Sequence, residues 1–197
     1  METTLKKVKY SVLFEALSGQ TACGDQYFIQ EGSGFTLFAV LDGLGHGEEA
    51  EFASKTALQI LASHTEESIE TLFRRCNHAL QTTRGAAMTL VRIDDQYKVN
   101  YKAIGNVMGV YWQIGGKSHA MTLENGIVGK DQLPSPMPIH ELTLASGDIF
   151  ILATDGINSR FESESPKLES PGNIAKQIFT TYRNNYDDGL ILVVQLL

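Results

Sequence analysis

Phe35-Thr36-Leu37-Phe38-Ala39-Val40-Leu41-Asp42-Gly43-Leu44-Gly45-His46-Gly47 is the stretch from which the fold is read. Phe35 to Leu41 is an apolar run of strand length, expected to be buried. It stops at Asp42, and three glycines within the next five residues let the backbone turn tightly. Glu48 and Glu49 follow, acids suited to the first turn of a helix. A carboxylate that closes a buried strand stands on a rigid scaffold yet faces a solvent-accessible end. The same arrangement recurs. Ile149 to Ala153 stops at Thr154-Asp155-Gly156, and Asp187-Asp188 stands just before the run Leu190 to Val194. Each motif alone also reads as an ordinary turn, since Asp-Gly is common there. Strand-end acids so far apart in sequence can form a site only if the fold gathers them, and gathered they make a hard-oxygen site of the kind that suits Mg²⁺ or Mn²⁺.

Around this stretch the pattern is one of short strands and a few helices. Tyr10 to Phe14 and Tyr27 to Gln30 precede it as strands, separated by a polar turn. Two amphipathic helices come after it. Ala50, Ala53, Ala57, Ile60 and Leu61 share a face in the first, and Ile69, Leu72, Phe73, Cys76 and Leu80 in the second. From Ala86 the spacing becomes that of an antiparallel meander: Ala86 to Ile93, Tyr97 to Ala103, Val107 to Ile114 and Lys117 to Thr122. Asn125 to Pro138 reads as a Gly/Pro-rich connection, and His140 to Leu144 and Asp148 to Ala153 resume the strands. Asn158 to Pro171, with Ser163 and Ser165, is expected to be a mobile loop. A helix from Ile174 to Tyr182 and a buried strand from Leu190 to Leu197 complete the pattern. The fold class is α+β, packed antiparallel sheets flanked by helices, in a single domain spanning 1–197.

Composition narrows the function. The 197 residues carry a net charge of −7, with 43% hydrophobic and 20% charged residues. Lys6-Lys7-Val8-Lys9 is the densest basic stretch, too short for a nucleic-acid face. No apolar run reaches membrane-span length, and the first dozen residues lack a signal-peptide core, so a cytoplasmic protein is expected. Cys23 and Cys76 make no disulfide framework and read as reduced core thiols. His64, His78, His119 and His140 show no metal-ligand spacing. The glycine turn lacks the Lys-Ser/Thr ending of a nucleotide-binding loop. Tyr111 and Trp112 read as sheet packing.

Gly24-Asp25, Val40 through Gly47, Arg84-Gly85-Ala86-Ala87-Met88-Thr89, Ile104-Gly105-Asn106, Thr154-Asp155-Gly156-Ile157 and Asp187-Asp188 occur in an order that resembles metal-dependent PPM-type serine/threonine phosphatases, above all the small bacterial SpoIIE-like branch with its stressosome members. The resemblance covers essentially the whole chain. It implies a β-sandwich of two antiparallel sheets with helices on both outer faces (αββα). Two Mn²⁺ or Mg²⁺ ions would be bridged by Asp42, with the Gly43 carbonyl on one, Asp155 and Asp187 on the other, and Asp25 nearby directly or through water. Asp188 is the alternative to Asp187. Metal-activated water would attack phosphoserine or phosphothreonine with no protein nucleophile.

By the same resemblance, the substrates would be phosphorylated STAS-domain stressosome proteins, and the outcome negative feedback on a general stress (sigma-B) response by a monomeric, bare catalytic domain. The alternatives are the same chemistry on a phosphorylated anti-sigma-factor antagonist, or a phosphatase-like binding module without turnover. The chain also departs from the family pattern. Gly24 stands where longer members carry a second acid, and Gln20 lies near the place of a phosphate-binding arginine. Asn106 stands where larger bacterial members have an aspartate linked to a third metal, so two metals are expected. Gly189 replaces a bulkier residue.

Overall fold

The computed structural model describes residues 2–163 and 169–197. In chain order these form β1 (Glu2–Thr4), β2 (Val8–Glu15), β3 (Asp25–Gly32), β4 (Phe35–Gly43), α1 (Glu48–Ser63), α2 (Ile69–Ala79), β5 (Ala86–Asp94), β6 (Lys98–Ile104), β7 (Met108–Gln113), β8 (Lys117–Ala120), β9 (His140–Thr143), β10 (Ile149–Ala153), α3 (Pro171–Tyr182) and β11 (Gly189–Leu196). One sheet has the order β1-β2-β11-β10-β7-β8, the other β3-β4-β5-β6-β9. Every pairing is antiparallel.

Alternation along the strands explains the four layers. On β4, Phe38 and Val40 face the second sheet, while Leu37, Ala39 and Leu41 pack under α1 and α2. Phe150 and Leu152 of β10, with Leu190, Leu192 and Val194 of β11, complete the inter-sheet core. Ile149, Ile151, Ile191 and Val193 turn the other way, onto α3. A strand covered on both faces must be apolar at every position, which is why these segments read as unbroken runs. Phe38 meets Phe150 edge-on at 5.2 Å across the sandwich, the geometry aromatic quadrupoles favour.

Several boundaries differ from the sequence reading. β1 is an added three-residue strand, pairing Glu2–Thr4 with Ser11–Lys9. α3 starts at Pro171 because Ser170 caps it, accepting from the Asn173 amide, and proline is well placed in a first turn. Of the expected loop Asn158 to Pro171, Ser159–Ser163 form a short 3-10 helix that buries Phe161. Residues 164–168, and so Ser165, lie outside the described residues. The 125–138 connection is tied to the sheet by isolated bridges Ala86↔Val128 and Ile104↔Glu124 at its start. Among the described residues no helix is long and apolar enough to cross a membrane.

Candidate metal centre

The inward-facing series on four strands runs out at one end of the sandwich, and polar groups take over there. Asp42 continues the series Phe38, Val40, and the β3–β4 register sets Asp25 directly opposite it. Thr154 continues Phe150, Leu152, and Asp188 precedes Leu190 on the same side. Thr154 then joins the two sheets. Its hydroxyl donates to Asp25 Oδ2 at 2.6 Å, and the same oxygen accepts from the Leu190 amide at 2.9 Å. Asp155 and Asp187 stand one residue away on the turns. The Asn106 amide, from the β6–β7 connection, donates to Asp155 Oδ2 at 2.7 Å, and Asn106 lies beside Asp42, whose ionised form it favours.

Asp25, Asp42, Asp155 and Asp187 are thereby gathered, from buried Asp25 to exposed Asp155. Asp188 has a different task. Its two oxygens accept from the backbone amides of Leu17 at 2.7 Å and Gly24 at 2.6 Å, so it holds the β2–β3 loop to the site. Asp187 uses one oxygen on the Asp188 amide and lies close enough to Asp155 and Asp42 to disfavour their ionisation.

Arg183, which the sequence reading passed over, donates to the carbonyls of Asp187, Gly156 and Asn184, fixing the loop that carries Asp187. Its guanidinium lies across Gly189, where a Cβ would come within 2.7 Å of Nε. That accounts for glycine at 189. Gly24 has an equally local reason: a side chain there would meet the Ala50 Cβ at 2.8 Å. Gln20 Nε2 lies 2.8 Å from His46 Nδ1 beside the glycine turn.

The electrostatics favour a cation. None of the ion pairs among the described residues reaches these carboxylates. Burial, then the charge of Asp42, raises Asp25, and burial, then the charge of Asp155, raises Asp42. Asp155 is raised too, because its carboxyl is partly withdrawn from water although the residue as a whole is exposed, and because Asp187 is near. Among the described residues no three His, Cys, Asp or Glu side chains already form a metal cage. Hydrogen bonds to Thr154, Asn106 and backbone amides hold the acids instead. The donor set is nevertheless the all-oxygen one that Mg²⁺ and Mn²⁺ prefer, and a divalent ion would relieve the repulsion.

A pH dependence follows from those shifts. An acid whose folded-state pKa is raised contributes stability that is complete below its unfolded value and lost as pH rises through the folded one. With Asp42 pushed up to about 7 and Asp25 to about 8, that contribution disappears between the ordinary carboxylate range and about 8. Chelator-treated protein is therefore expected to melt lower at about pH 8.5 than at about pH 5.5. Asp25→Asn should raise the melting temperature at the alkaline pH by roughly 5 °C. Mn²⁺ should stabilise wild type more at the higher pH. A wild-type and Asp25→Asn pair with parallel pH profiles in differential scanning fluorimetry would refute this.

A profile of the Stage II sporulation protein E (SpoIIE) family matches residues 32–195. Phosphoserine phosphatase RsbX of Bacillus subtilis (strain 168) is 30% identical over 183 residues, 90% of this chain and 89% of that protein. A crystal structure of RsbX in complex with magnesium superposes with a TM-score of 0.89 at 27% identity, covering 100% of this chain and 99% of that one. A structure from work on the bacterial stressosome, described as a modular system adapted to control secondary messenger signalling, matches with a TM-score of 0.86 at 25% identity, over 96% and 100% of the two chains.

Proposed function

We propose, from the premise that this chain belongs to the SpoIIE family and is a metal-dependent serine/threonine phosphatase, that its substrates are phosphorylated STAS-domain proteins of a stressosome. The observation that carries the catalytic part is the gathering of four uncompensated carboxylates from two sheets at one end of the sandwich. Similarity to RsbX and to a stressosome structure supports the choice of substrate. Dephosphorylation there would act as negative feedback on a general stress (sigma-B) response, in the cytoplasm, by a monomer.

Asp42, the Gly43 carbonyl, Asp155 and Asp187 would hold two divalent ions, Mn²⁺ or Mg²⁺, with Asp25 near one of them. When bound, such ions supply a water of lowered pKa as nucleophile and neutralise phosphoryl charge. The protein's own part is positioning. Thr154 locks Asp25 across the sheets, and Asn106 orients Asp155 while contacting Asp42. Asp188 and Arg183 hold the two loops that frame the acids. Both cysteine thiols are pushed up to about 12 by burial, which leaves neither suited to nucleophilic attack.

The test is phosphate release from a phosphorylated STAS-domain stressosome protein and from a phosphorylated anti-sigma-factor antagonist, with Mn²⁺ and with chelator. Mn²⁺-dependent release at least ~10-fold faster from the first is expected. Faster release from the antagonist would replace the substrate assignment, and binding without release from either would leave a docking module.

A further inference from the structure

A groove of about 430 Å³ leads away from the acids. It begins at Asp42 and Asn106, crosses Ala87 and Gly105, and is walled by Leu44 on one side and Ile127 on the other. That volume lies within the ~300–1,000 Å³ typical of ligand sites. Leu44 is 47% exposed at the tip of the glycine turn, where its amide donates to the Gly85 carbonyl. The opposite wall is pinned rather than mobile. Glu124 exchanges backbone hydrogen bonds with β6 through the Gly105 amide and the Ala103 carbonyl, and Val128 does so with Ala86 of β5. The Ile127 amide donates to Asp131 Oδ2 at 2.7 Å. Beneath the wall the fully buried Lys102 side chain is ion-paired with Glu124. A charge withdrawn from water into a sheet face is costly unless paired, so this pair ties residue 124 to β6.

We propose that this groove receives the polypeptide flanking the phosphorylated residue and selects an apolar side chain next to it, held between Leu44 and Ile127. The inference rests on the phosphatase reading. The groove is continuous with the acid cluster: it starts at Asp42 and Asn106, so a phosphoester seated among the acids sends its peptide into it. Past Asp42 the lining carries no charge. Leu44, Ala87 and Ile127 reward apolar burial, while the polar side chains in the lining are Asp42, Asn106 and Asn125. The exposed Leu44 thereby gains a role beyond the turn it belongs to.

Two phosphoserine peptides test this, identical except for leucine or glutamine on both sides of the phosphoserine, with p-nitrophenyl phosphate as a separate measure of the acid cluster. With Mn²⁺, wild type should favour the leucine peptide by about 10-fold in kcat/KM, the discrimination an apolar pocket supplies. Leu44→Gln and Ile127→Asn should each reduce that ratio severalfold. Leu44 is exposed, so its variant should fold even where Ile127→Asn does not. Equal turnover of the two peptides by wild type, or an undiminished ratio in both variants, would overturn the groove assignment. Turnover of the aryl phosphate with neither peptide cleaved would do the same. Failure with all three compounds would instead remove the phosphatase reading, and the groove assignment with it.

Discussion

Asp155→Asn, and equally Asp42→Asn, is expected to lower Mn²⁺-dependent phosphate release by roughly 10³-fold, the scale seen when one preorganised charge-stabilising group is lost. The fold should survive. Asparagine keeps an oxygen able to accept the Asn106 amide, and it removes a charge that burial and neighbouring acids already oppose. Metal-free variants should therefore melt no lower than wild type. Calorimetric titration with Mn²⁺ should show weakened binding in the same proteins, separating loss of the ion from loss of the substrate. Full turnover in both variants would eliminate a metal site built on these acids.

Gly156→Ala should be the most destructive single methyl group in the chain. A Cβ at this position would lie 1.8 Å from the Asp188 carbonyl oxygen and 2.7 Å from the Gly189 Cα. Both are backbone atoms of a strand start that hydrogen bonds from Thr154 and Arg183 hold in place, so neither can step aside. The Asp155 turn and the Asp187 turn would have to separate. A cost above ~4 kcal/mol is expected, in the range reserved for disrupted cores. At this chain length that lowers the melting temperature by roughly 10 °C or more. Thermal unfolding decides it, and a melting temperature within experimental error of wild type would show that the two turns are not packed backbone to backbone.

Much of the fold could be read before any coordinates, for a definite reason. Phe35 to Leu41, Ile149 to Ala153 and Leu190 to Val194 are apolar on both faces because each is covered on both faces, and burial leaves its mark locally. The acids were legible because they interrupt those runs. The different surroundings of Asp187 and Asp188 were not, because Asp188 accepts from amides at Leu17 and Gly24, more than 160 residues away in the chain. Thr154 stood in a quoted motif without a role for the same reason: its role is a bond to the other sheet, although the alternation from Phe150 and Leu152 could have shown which way it points. Lys102 is harder still. Nothing in Tyr97 to Ala103 shows that a lysine lies at 0% exposure beneath a connection it pairs with. Short strands such as β1 exist only because a neighbour offers an edge.

The position of β11 within its sheet has a consequence for synthesis of the protein. It is the last of the strands in the sequence, yet it lies between β2 and β10 rather than at a margin. A chain interrupted before residue 187 lacks the strand that bridges its early and late halves, the amide that Thr154 holds, and two of the five carboxylates. Prematurely terminated polypeptides are thus expected to be hydrolytically silent however much of the second sheet they assemble. In the cell, the ability to erase a phosphate mark would be confined to copies that have been translated to the end of this strand.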